Sequence, residues 1–140
     1  MNYVKFVLTV LVCISFCAVN AQKLTEKQKE REANKVEIFT SEEKDNMQMW
    51  FHEETKKLNL SEEESERYRQ IIANNVYKMR RLNDKDSKLT EEEVTTEFKK
   101  LVEKTNFEVK DVLSEEQYEM HLKNFNKLAN SALKRNAKKN

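Results

Sequence analysis

Leu60-Ser61-Glu62-Glu63-Glu64, Leu89-Thr90-Glu91-Glu92-Glu93 and Leu113-Ser114-Glu115-Glu116-Gln117 are three copies of one device. A leucine precedes a hydroxyl residue, acidic residues follow, and a Glu or Gln stands three places after the hydroxyl. This is the capping box of a helix start. The hydroxyl accepts a bond from an orphan N–H of the first turn, and the Glu or Gln side chain reaches back to the cap's own N–H. The carboxylates also suit the positive end of the helix dipole. Leu89 with Val94 and Leu113 with Tyr118 have the spacing of hydrophobic staples. Leu24-Thr25-Glu26-Lys27-Gln28 and Thr40-Ser41-Glu42-Glu43 are looser versions of the same device.

Between these starts nothing interrupts a helix. The chain of 140 residues holds no glycine and no proline, where average usage would give roughly 17 of the two together. The residues that make tight β-turns are thereby missing, and glycine-rich phosphate loops and the GxSxG nucleophile elbow are excluded. The expected fold is all-α. Helices are predicted at about 42–58, 62–83, 91–112 and 115–136, with a charged, weakly helical segment at 22–40 and a basic tail at 137–140.

Each predicted helix carries one apolar stripe at spacings of three and four. The stripes are Met47, Trp50, Phe51 and Leu58; then Tyr68, Ile71, Ile72, Val76, Met79 and Leu82; then Val94, Phe98, Leu101, Val102, Val109 and Val112; then Tyr118, Leu122, Phe125, Leu128, Ala129 and Leu133. Single stripes on long helices make a thin arrangement of antiparallel hairpins that buries little by itself, so a homodimer is expected. Asn75 and Thr105 interrupt two stripes, as buried polar residues that set register do. The alternative places both beside solvent near a helix crossing.

The first 21 residues read as an export signal. Lys5 forms a short positive region, Phe6 to Val19 is almost continuously apolar, and Val19-Asn20-Ala21 offers a cleavage site before Gln22. Both cysteines, Cys13 and Cys17, lie within it. The exported chain is therefore expected to lack thiols, disulfides and cysteine metal sites. It retains 25 basic and 25 acidic residues, because only Lys5 is lost from the 26 and 25 of the whole. No basic excess of the kind nucleic-acid binders carry is present.

The L-[ST]-x-x-Q pattern, opening two helices of a small exported helical chain, resembles the LTXXQ-motif periplasmic proteins, the Spy/CpxP group. Leu113, Ser114 and Gln117 match the second motif, with Ser for Thr, and Leu60, Ser61 and Glu64 match the first, with Glu for Gln. Arg67-Tyr68-Arg69-Gln70-Ile71-Ile72 and Asn124-Phe125-Asn126-Lys127-Leu128, which follow the motifs, are similar too. The resemblance covers about residues 58–130. It implies a shallow, cradle-like dimer of helical hairpins with an ATP-independent chaperone or envelope-stress role, and a periplasmic location. Its clients would be unfolded proteins held on a face of mixed cations and apolar groups.

The helical wheel leaves Met49, Tyr77, Phe107 and Met120 on polar sides. Tyr77 stands beside Arg80 and Arg81, and Phe107 near Lys100 and Lys110. Tyr77, Arg80, Arg81, Phe107 and Met120 are therefore the candidate client-binding residues, since apolar anchors among flexible cations suit promiscuous capture. Met47-Gln48-Met49-Trp50-Phe51-His52 resembles a thioether–imidazole copper site. Met49 and His52 share a helical face but are only two ligands, so no metal and no cofactor is expected. His121 reads as a packed histidine. No catalytic arrangement is discernible, and neither nucleic acid nor a small-molecule substrate is expected. The rival readings are a metal-stress protein and a helical module with one specific protein partner.

Overall fold

The computed structural model describes residues 24–139, so the export signal read at 1–21 and the cut before Gln22 lie outside the described residues. The described residues are all-helical and contain no strand. The helices are α1 (Glu26–Asn34), α2 (Ser41–Lys56), α3 (Glu62–Arg81), α4 (Glu91–Lys110) and α5 (Glu115–Lys139). None of them is long and apolar enough to cross a membrane.

The described residues fall into two units that part after Ala33. In the first, α1 is a short, highly charged helix with no buried residue. Thr25 and Gln28 cap it reciprocally: Gln28 Oε1 accepts from the Thr25 N–H at 2.8 Å and Thr25 Oγ1 from the Gln28 N–H at 3.3 Å.

In the second unit the capping boxes organise every helix start. Complete boxes form at Thr40/Glu43, Ser61/Glu64 and Thr90/Glu93. Ser114 and Gln117 make the same two bonds, at 2.8 and 3.3 Å. The exit from α2 requires a left-handed residue, and in a chain without glycine Asn59 takes it at φ 50°. Asparagine tolerates that region because its short amide bonds locally. The predicted basic tail is not a separate element, since α5 continues to Lys139.

Packing follows the predicted stripes. α3 packs on α4, α4 on α5, and α5 on α2. Hydrogen bonds give the registers. Leu58 pairs with Gln117, Glu54 with Asn124 and Glu43 with Arg135, so α2 and α5 run antiparallel. Tyr68 pairs with His121 and Asn83 with Asn136, so α3 and α5 run parallel. The principal core is Leu58, Tyr68, Val109, Val112 and Leu113, flanked by Phe51, Leu60, Ile71, Ile72, Tyr118 and Met120. Burial of each fully enclosed aliphatic chain stabilises by about 1.5–3 kcal/mol. Of α2–α5, α2 contributes least, since no residue within Ser41–Lys56 is fully buried. Trp50 is half-buried beneath Lys127, whose Nζ lies 4.6 Å from the ring centroid. The Leu113 staple is closed, with Leu113 buried and Tyr118 against the same cluster. Leu89 remains 40% exposed, so that staple stays open to solvent.

Candidate functional site

The two LTXXQ-like motifs meet at one end of the core. Leu60 packs against the cluster that contains Leu113. Gln117 does more than cap: its Oε1 accepts from the Ser114 N–H while its Nε2 donates to the Leu58 carbonyl at 2.9 Å. That carbonyl lies where α2 ends and the chain turns through Asn59, so one amide joins the start of α5 to the end of α2. Glu64, at the corresponding place in the first motif, only accepts, from the Ser61 N–H at 2.8 Å. A carboxylate suffices at Glu64, whereas position 117 needs a donor as well. Gln117→Glu should keep the cap and lose the tie, lowering the unfolding free energy by about 1 kcal/mol in urea titration. Glu64→Gln should change it far less.

Behind the motifs lies a buried polar node. His121 on α5 is 1% exposed. Its Nδ1 is 2.9 Å from the Tyr68 hydroxyl on α3, and its Nε2 is 3.0 Å from Asn106 Oδ1 on α4. Asn106 Oδ1 can only accept, so Nε2 carries the proton and Nδ1 accepts from the Tyr68 O–H. The imidazole stacks on Phe125 at 5.2 Å and on Tyr118 at 6.3 Å, and meets Tyr68 edge-on. Burial lowers the His121 pKa from 6.5 to about 4 and pushes the Tyr68 phenol up. The crevice beside the pair, lined by Phe51, Thr55, Leu58 and Asn124, has no room for a water molecule. With neither solvent nor substrate space at hand, His121 is a packing and hydrogen-bonding residue.

Asn75 and Thr105 are both completely buried, which settles the choice between buried and solvent-flanking placement. Thr105 Oγ1 donates to the Leu101 carbonyl within α4. Asn75 Nδ2 donates across the α3–α4 seam to Glu108 Oε2 at 2.6 Å. Glu108 also takes Lys104, and these two bonds, Lys104 first, hold its carboxyl below the usual range. The buried Asn75 Oδ1 has no partner among the described residues, so Asn75 selects the α3–α4 register more than it stabilises it.

The five candidate client-binding residues separate. Phe107 and Tyr77 are 73% and 52% exposed, and Arg80 is exposed. Met120 is drawn away from the surface and packs against the core cluster. A wheel for one helix does not contain that cluster. Arg81 is mostly buried and held by Asp84, Nε to Oδ2 at 2.5 Å, so its charge serves the α3–α4 turn.

An open groove of about 510 Å³ runs beside Phe107, lined by Arg67, Gln70, Ile71 and Asn74 of α3 and by Phe107, Glu108 and Asp111 at the end of α4. Helical spacing places Tyr77 on the same α3 stripe as Arg67, Gln70 and Asn74, one turn beyond Asn74. The groove is not legible as a site in the sequence, because Arg67, Gln70 and Asn74 follow the pattern of any solvated helix face.

Among the described residues no group of three or more His, Cys, Asp or Glu side chains could hold a metal ion. Met49 is 67% exposed, and His52 beside it is exposed. No protein-family model, no curated protein and no solved structure matches this chain.

Proposed function

We propose that this chain is an exported, periplasmic, ATP-independent chaperone-like or envelope-stress protein that binds unfolded protein clients and works as a homodimer. In this reading α2–α5 form a four-helix arrangement of antiparallel hairpins. The observation that carries it is the exposure of Phe107 and Tyr77 along the paired helices α3 and α4. Phe107 in the lining of an open groove with Arg67 in its wall, and Tyr77 further along α3 near Arg80, offer apolar anchorage among cations. Unfolded segments of many sequences can use such a surface. Similarity of the Leu60 and Leu113 motifs to those of the LTXXQ-motif proteins supports the same reading. The client surface is then Tyr77, Phe107 and Arg80, with Arg81 and Met120 in structural roles.

The test is suppression of aggregation of two unrelated denatured proteins, without ATP. Wild-type protein should suppress both. Tyr77→Ala with Phe107→Ala should raise the concentration needed for half-suppression several-fold while leaving the melting temperature nearly unchanged. Equal suppression by the double variant would sink the assignment of the surface, and no suppression by wild type would sink the holdase reading.

A further inference from the structure

Resting on the client capture proposed above, we infer that the α3–α4 groove reads the main chain of its clients. Gln70 and Asn74 hydrogen-bond the peptide groups of an extended segment, while Phe107 takes one of its apolar side chains. Asn74 is exposed within α3, and its carboxamide forms no hydrogen bond among the described residues. Its neighbour Asn75 is engaged with Glu108 across the seam. Asparagine is a poor residue for a helix interior, so an exposed one without a local partner weakens α3 with no compensation inside the fold. Gln70, four residues earlier, is also exposed. It donates Nε2 to Glu66 at 2.9 Å, and its Oε1 has no partner among the described residues.

The spacing fits an extended chain. Residues four apart share a helix face and are separated by a rise of about 6 Å. Alternate residues of a strand stand about 6.6 Å apart and turn their N–H and C=O groups to the same edge. Two carboxamides at this spacing can therefore meet peptide groups along one edge of a client. Asn74 offers both an acceptor and donors, enough for the N–H and C=O of one residue, and Gln70 Oε1 takes a further N–H. From Arg67 to Asn74 the α3 wall is about 10 Å long, the reach of about three extended residues. Phe107 is 73% exposed and shares the groove lining with Ile71, which gives an apolar client side chain a place to settle. A side chain that settles there takes its own backbone out of water, where unpaired N–H and C=O groups are costly. The carboxamides remove that cost. Charge adds no demand of its own, because the exposed charges of the lining, Arg67 and Asp111, are one of each sign. Main chain is common to all sequences, whereas helices and sheets have already paired theirs. The groove thus distinguishes unfolded chain from folded protein and asks of the sequence only an apolar residue.

Fluorescence anisotropy with two labelled peptides of about ten residues tests this. Both carry one Phe among Ser, Thr and Val. In the second, ester links replace the amides flanking the Phe and so remove their N–H groups. Wild-type protein should bind the amide peptide about tenfold more tightly than the ester peptide. Gln70→Ala with Asn74→Ala removes both carboxamides. This variant should bind the amide peptide more weakly than wild type does and no longer distinguish the two peptides. Both positions are exposed and alanine favours helix, so the melting temperature should not fall. The ester replacement leaves the protein itself untouched, so the wild-type comparison stands whatever the variant's stability. Equal binding of the two peptides by wild type, or a preference that survives in the double variant, would overturn main-chain reading. If Phe107→Ala then weakens both peptides alike, client capture still stands. Aggregation suppression without binding of either peptide overturns main-chain reading alone, whereas the absence of both overturns client capture with it.

Discussion

Lowering the pH from 7 to 4.5 is expected to reduce the folding free energy by about 2–3 kcal/mol through His121 alone, and His121→Gln should remove that contribution. The folded-state pKa is about 4 against 6.5 for a free histidine, because burial disfavours the charged ring. A depressed pKa means that the unfolded chain takes up the proton first. The His121 contribution is therefore complete above pH 6.5, declines as the pH falls, and is exhausted near pH 4, where both states are protonated. Geometry agrees in sign. Protonation puts a donor on Nδ1 where the Tyr68 hydroxyl already donates, and among the described residues no carboxylate is bonded to the ring.

The upper part of this window, above about pH 5.5, lies clear of the acids. Hydrogen bonds from cap N–H groups hold Glu43, Glu64 and Glu93 below their usual range, and bonds from Lys35 and Lys44 bring Glu37 down to about 2. Being depressed carboxylates, they contribute above pH 4.5 and lose that contribution below it. Urea unfolding at half-unit steps should show a slope between pH 6.5 and 4.5 in wild type and in His52→Gln, where the exposed histidine is replaced. In His121→Gln the slope should be absent between pH 6.5 and about 5.5, with only the carboxylate part left towards pH 4.5. A flat wild-type profile across this window would contradict the neutral, enclosed imidazole.

Tyr68→Ala should be the most destabilising single substitution, at about 3–5 kcal/mol. Tyr68 is 1% exposed and sits among Leu58, Val109, Val112 and Leu113. Truncation removes the ring from that cluster and leaves His121 Nδ1 buried without a donor. A small domain is stable by only about 5–15 kcal/mol, so this loss should leave a substantial fraction unfolded near 37 °C. Tyr68→Phe divides the effect: the ring stays and the hydroxyl goes, leaving a loss of about 1–3 kcal/mol for the orphaned nitrogen. Thermal and urea unfolding measure both. A Tyr68→Ala protein within about 1 kcal/mol of wild type would show that the ring does not occupy the core.

The features legible in the residue pattern are local ones. The five hydroxyl–Glu/Gln pairs at Thr25, Thr40, Ser61, Thr90 and Ser114 all close, because each needs only residues within one helical turn. The stripe residues Tyr68, Val109, Val112 and Phe125 are buried because periodicity specifies which side of a helix faces inward. The exposure of Tyr77 and Phe107 follows from the same periodicity. Less is legible wherever two distant segments meet. Met120 reads as solvent-facing on a wheel, because a wheel of one helix does not contain the core cluster that Met120 packs against. Arg81 reads as a free cation because Asp84, three residues on, lies beyond the helix end in a turn whose path a pattern does not specify.

The order of residues thus dictates the all-helical class, the places where helices begin and the faces they bury. These rest on missing glycine and proline, on capping chemistry and on spacing, all interactions of short range along the chain. It took the packed helices to bring Gln117 to the Leu58 carbonyl, to lock His121 between Tyr68 and Asn106, and to set Arg67 and Asp111 on one groove. Those pairings depend on helix order and register. Registers are selected by the summed fit of whole faces and by the partners that single buried groups find: the stripe marks Asn75, but only packing brings it to Glu108.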